Sequence, residues 1–74
     1  MTAKSKLASG RKVAKTLGKF GYQQISQKGS HIKLRNDSTG ITLIVPDHKE
    51  VDRWTLKTIL KQAEIPEDEF NKYL

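Results

Sequence analysis

Gln27-Lys28-Gly29-Ser30-His31-Ile32-Lys33-Leu34-Arg35 is the stretch on which the reading of this chain turns. From His31 to Arg35 polar and apolar residues alternate. Ile32 and Leu34 therefore project one way and His31, Lys33 and Arg35 the other, which is the period of a half-buried strand. The four residues before it, Gln27-Lys28-Gly29-Ser30, read as a hairpin turn. A strand with a core face and a cationic, histidine-bearing face makes a one-sided sheet the organising element.

Working outward, Tyr22 to Ser26 reads as a short strand ahead of that turn. Asn36-Asp37-Ser38-Thr39-Gly40 is a dense turn signal, because each of these side chains bonds its own backbone or tolerates unusual φ. Ile41 to Val45 then forms a third strand, with Ile41, Leu43 and Val45 on one face and Thr42 and Ile44 on the other, and Pro46 ends it. Before the strands, Ser9 offers a helix cap. From Gly10 to Phe20, Val13, Ala14 and Leu17 recur at helical spacing, with Lys12, Lys15 and Lys19 turned to water. Gly21 is placed to stop that helix in a left-handed conformation. After the loop 46–51, Asp52 caps a second helix whose Leu56, Ile59, Leu60 and Ala63 fall at i, i+3, i+4 and i+7. Thr55 stands where a capping box has Glu or Gln, so the box is absent. Pro66 opens a short last helix with Glu67, Asp68 and Glu69 in its first turn, and Phe70, Tyr73 and Leu74 fold back on the core. The fold class is α+β, in the order α-β-β-β-α with a further short α. A three-stranded antiparallel sheet is packed on one face by the two main helices.

A chain of 74 residues makes one domain with a thin core, here 1–74 with 1–8 as a loose basic arm. With no cysteine there is neither a disulfide frame nor a cysteine-based zinc site. No apolar run approaches the roughly 18 residues that would mark a membrane span. Met1 to Leu7 lacks the apolar segment of a signal peptide, so the expected compartment is the cytoplasm. The net charge is +6, unevenly placed. Residues 1–36 hold nine Lys and Arg and no acid, whereas residues 37–74 hold five basic against eight acidic side chains. One surface is thus built to attract a polyanion.

RNA carries its own nucleophile, the 2′-hydroxyl, so its cleavage needs no metal. It needs proton transfer at the 2′- and 5′-oxygens and positive charge around the phosphate. Histidine, with an ordinary pKa of about 6.5, suits the proton transfers. His31 is the candidate, with Lys28, Lys33 and Arg35 as phosphate-binding cations. Backbone N–H groups at Gly29 and Ser30 add donors where a small residue lets a phosphate approach. The residues alone leave this reading open beside a surface histidine that only pairs with a neighbour. Ser30 lacks a nearby acid to complete a triad with His31. His31 and His48 have no third partner to hold a metal, so neither metal nor cofactor is expected, and His48 reads as a loop histidine. Trp54 reads as a core or interface residue, with base stacking less favoured.

These pieces together resemble the HicA toxin family, small endoribonucleases of bacterial toxin–antitoxin pairs with a fold similar to the double-stranded RNA-binding domain. The resemblance rests on Ser9-Gly10 opening the first helix, Gly21-Tyr22 after it, and Lys28-Gly29-Ser30-His31 at the second strand. It continues through Val45-Pro46-Asp47-His48, Thr55-Leu56, Ile59-Leu60-Lys61-Gln62-Ala63 and Phe70. It implies that His31 is the catalytic histidine, that mRNA is the substrate, and that a HicB-like antitoxin covers the His31 face. Two positions depart from the family pattern. Trp54 and Glu64 stand where many relatives have Gly, which bears on partner contacts more than on chemistry.

The fold analogy carries a rival function: a non-catalytic RNA-binding module that holds phosphates through Lys49, Arg53, Lys57 and Lys61 around the second main helix. A third is a basic domain that docks on an acidic protein.

Overall fold

The computed structural model describes residues 7–74. The elements run α1 (Gly10–Gly18), β1 (Tyr22–Lys28), β2 (His31–Asn36), β3 (Thr42–Pro46), α2 (Arg53–Ala63) and α3 (Glu67–Lys72). The strands form one antiparallel sheet in the order β1-β2-β3, so β2 is central and the other two are edges. This is the expected α+β architecture.

The core lies on one face of that sheet. Ile32, Leu34, Leu43 and Val45 meet Val13 and Leu17 of α1, Ile59 and Leu60 of α2, and Phe70 of α3, all of them buried. Burying so much apolar area on one side is the main force holding both helices to the sheet. Ala8 packs against this core, and its carbonyl accepts from the Val51 amide at 2.8 Å. Most of the loose arm read over residues 1–8 lies outside the described residues.

Local chemistry sets the ends of the elements. The Ser9 side chain accepts from the Lys12 amide at 3.1 Å and caps α1. The regular helix stops at Gly18, two residues before the expected Phe20. A glycine holds helical geometry poorly, and the chain closes instead through i→i+3 bonds from Lys19, Phe20 and Gly21. Gly10 sits where α1 meets the end of β3, and a Cβ there would overlap the Pro46 carbonyl. Only glycine lets the helix come that close.

Asp52 caps α2 as expected. Its carboxylate accepts from the Thr55 amide at 2.8 Å and from the Thr55 hydroxyl at 2.9 Å, so Thr55 ties the cap with its own side chain. These bonds hold the Asp52 carboxyl below its usual value, the Thr55 amide being the largest cause. At the other end, Glu64 adopts the left-handed conformation, with φ of 60°. The Ile65 amide bonds the Leu60 carbonyl and the Glu64 amide the Lys61 carbonyl, which is the Schellman pattern. A glycine would adopt this backbone without the penalty a Cβ brings. The departure at Glu64 is a matter of helix termination. Tyr22, buried at the start of β1, donates its hydroxyl to the Ala63 carbonyl at 3.1 Å and binds the same helix end to the sheet.

Candidate functional site

The hairpin between β1 and β2 is tighter than the sequence suggests. Strand pairing continues to Lys28 opposite His31, leaving only Gly29 and Ser30 as the loop. Gly29 has φ of +57° and Ser30 has no positive φ, the glycine-first pattern of two-residue hairpin loops. A Cβ built on Gly29 would meet nothing within 4 Å, so the loop backbone is open to a ligand.

Register then sets the face. His31 is opposite Lys28 on one side and Pro46 on the other, and Lys33 is opposite Ser26 and Ile44. Directly paired residues share a face. Lys28, His31, Lys33 and Ile44 are exposed, while Ile32 and Leu34 between them are buried. The alternation read from the sequence is thus realised. His31, Lys28 and Lys33 line one open hollow of about 540 Å³ with Ser26, Gln27 and Ile44. His31 is exposed, and among the described residues no hydrogen bond or ion pair engages its imidazole.

The other candidates are dispersed. Arg35 shares the open face but stands four residues along the strand, roughly 13 Å away at the usual rise. Its Nε lies 3.5 Å from the Asp37 carboxylate. Lys49, Arg53, Lys57 and Lys61 are exposed on the loop and on α2, and none of them lines the His31 hollow. Ser30 contributes its backbone, whose carbonyl accepts from the Asp47 amide at 2.7 Å. His48 is an exposed loop residue whose carbonyl receives the Gly10 amide at 2.9 Å. Trp54 is 78% exposed, which removes the core reading. It borders a groove between β3 and α2 that also contains Ile44, itself 46% exposed. Ile44 thus belongs both to that groove and to the His31 hollow.

Sequence reasoning missed the brace beneath the hairpin. Asp47, its side chain only 17% exposed, takes the Arg11 guanidinium on one oxygen at 3.3 Å and the Gln27 amide on the other at 2.9 Å. Gln27 also donates to the Gly29 carbonyl at 3.2 Å. A carboxylate held between a helix, a strand and a turn fixes the loop that precedes His31. The available signal was Asp47 itself, an acid directly after the strand-ending Pro46 in a strongly basic chain.

Residues 10–65 match the family described as HicA toxin of bacterial toxin–antitoxin systems. The chain belongs to the HicA toxin family. The match spans α1 through the Schellman end of α2, and therefore includes every residue of the hollow and its brace. Membership makes the chain a toxin-family protein with an antitoxin as its counterpart. A comparison with curated proteins found no significant match. Among the described residues no helix is long and apolar enough to cross a membrane.

Proposed function

We propose that this HicA-family chain is a metal-independent endoribonuclease acting on mRNA in the cytoplasm, with His31 as general acid or base. The observation that carries the reading is the hollow shared by His31, Lys28 and Lys33 on the open sheet face. In such a reaction the 2′-oxygen bonds to the adjacent phosphorus as the bond to the 5′-oxygen breaks. One proton leaves the 2′-hydroxyl and one reaches the departing 5′-oxygen. An exposed imidazole can serve at either point. The ammonium groups of Lys28 and Lys33 oppose the charge that grows on the phosphoryl oxygens. The open backbone at Gly29 admits the phosphate beside them.

A HicB-like antitoxin then silences the enzyme by covering the His31 face. Exposed Ile44 and Trp54 support this, because two large apolar side chains joined by one groove give a partner protein its anchor beside the hollow. The rival reading, an RNA-binding module without chemistry, draws on the α2 cations, which lie apart from the hollow. The deciding experiment is incubation of the purified chain with RNA in EDTA. The proposal requires cutting that persists without divalent ions and stops at a position where the 2′-hydroxyl is replaced by hydrogen. Binding without cutting would favour the module.

A further inference from the structure

A basic surface on α1 contributes no residue to the His31 hollow. Helix α1 carries Arg11, Lys12 and Lys15 and no acidic residue, and Lys19 follows as its C-cap. Arg11 is matched by Asp47. Lys12 and Lys15 form no ion pair among the described residues, and Lys19 rests over the Tyr73 ring at 5.7 Å. Arg11 to Lys19 spans about 12 Å of helix at 1.5 Å per residue, a length over which several backbone phosphates can be met.

This stripe and the His31 hollow lie on either side of β1. β1 is an edge strand whose residues after Tyr22 are all exposed. Along its core-side face runs a cleft of about 410 Å³ against α1, with Arg11, Lys15, Gln24 and Gln27 at its polar rim and an apolar floor that includes Ala14, Tyr22, Ile32 and Leu34. Gln27 also borders the His31 hollow, so one residue of the β1 edge stands between the two depressions. On the far side of α1 a further groove is bordered by Lys12, Lys15 and Lys19. The path from His31 therefore passes from Lys28 over a glutamine to Arg11, Lys15 and the rest of the stripe. Its rim is long polar side chains, with amide donors on the strand side and cations on the helix side. Protein-docking surfaces are centred on buried aromatic or aliphatic anchors; exposed Ile44 and Trp54 lie at the β3–α2 groove, while exposed Ile25 is on β1 and exposed Tyr73 borders the groove of Lys12, Lys15 and Lys19. Four cations and no acid on α1 and its C-cap favour a polyanionic strand on this surface.

We propose that the basic face of α1, with the β1 cleft on one side of it and the Tyr73 groove on the other, is a second RNA-binding site, holding the single strand on one side of the scissile phosphate through contacts from Lys12, Lys15 and Lys19. This extends the ribonuclease reading of His31 and rests on it. The site supplies affinity without sequence choice, since phosphates carry no base identity. It also makes binding depend on substrate length.

The test uses 2′-O-methyl RNA, which a 2′-hydroxyl mechanism cannot cut, in two lengths: a tetranucleotide and an oligonucleotide several times longer. Affinities of the wild-type chain and of a Lys12→Gln, Lys15→Gln, Lys19→Gln variant are measured by fluorescence anisotropy across a salt series. Gln keeps helix propensity, and the matching triple Lys→Arg variant controls for folding. The wild type binds the longer strand more tightly than the tetranucleotide, and the triple Gln variant loses most of that gain while the Arg variant keeps it. Between 50 and 200 mM salt, three phosphate contacts give the wild type roughly a 20-fold steeper loss of affinity for the long strand than the Gln variant. Equal affinity for the two lengths in the wild type, or an unaltered gain in the Gln variant, overturns the α1 site. Cutting of unmodified RNA in parallel samples tests the His31 reading separately.

Discussion

Lys28 and His31 face each other as a directly paired couple across the Gly29–Ser30 turn, on the face of the sheet that no helix covers. Only two loop residues separate them, so the ammonium and the imidazole are held near each other by strand pairing. The other lysine of the hollow, Lys33, enters from two residues further along β2.

That placement ranks the cations. Lys28→Met and Lys33→Met each lower the turnover of RNA by roughly 10²-fold, as loss of one charge-stabilising group at a phosphoryl centre does. Arg35→Met has a much smaller effect, because Arg35 stands along the strand and faces Asp37. Initial rates at saturating RNA distinguish the two classes. Equal losses at Arg35 and Lys28 would mean that the hollow does not define the site.

Asp47 is predicted to matter through the hairpin it braces. Asp47→Ala frees Arg11 and Gln27 together and costs about 1 kcal/mol of stability, since one partner is a surface cation and the other a single amide. Amide exchange at Gly29 and Ser30 accelerates and RNA turnover falls. Urea unfolding and hydrogen exchange by NMR measure both effects.

Glu64 holds a left-handed backbone that costs a side-chain-bearing residue about 1–2 kcal/mol. Glu64→Gly relieves this, offset in part by the greater freedom of glycine in the unfolded chain. The net expectation is a gain of about 1 kcal/mol, or a Tm higher by roughly 4–8 °C for a domain of this size. Scanning calorimetry checks it. An Ala substitution at Glu64, with a Cβ and the same strain, gives no such rise.

Asp52 gives the acid limb of stability its sign. Its carboxyl titrates lower when folded than the usual 3.8, so its contribution is complete above that value. The contribution is lost as the pH falls through the lower folded value. Asp52→Asn keeps a good capping acceptor but removes the titration. Thermal unfolding of the Asn variant therefore declines less between about pH 4 and pH 2 than that of the wild type.

The fold was largely legible because its strongest signals are those a one-sided core imposes. Ile32 and Leu34 alternate with charge, and Leu56, Ile59, Leu60 and Ala63 keep one helical stripe. β1 was read too short because Gln23, Gln24, Ser26 and Gln27 show no apolar alternation. An edge strand with little packed on it has none to show, and the register shift at Ile25 breaks the period as well. Glu64 was legible only as a departure from a glycine, since a left-handed φ is set by the helix end and not by that residue's own preference. Trp54 looked like core on hydrophobicity alone, but position within the helix puts it on the β3 side and outside the core. The Asp47 brace was hidden because its two partners, Arg11 and Gln27, come from segments distant from it and from each other. Thr16, buried with its hydroxyl on the Lys12 carbonyl at 2.8 Å, satisfies itself locally and so joins an apolar helix face unannounced.

The most direct measurement of the central claim is the single-turnover cleavage rate of His31→Gln in EDTA, with RNA affinity and the unfolding midpoint recorded on the same preparation. The account predicts a rate at least about 10²-fold below wild type, with RNA affinity and folding retained. A folded His31→Gln chain that cuts RNA at the wild-type rate would contradict it.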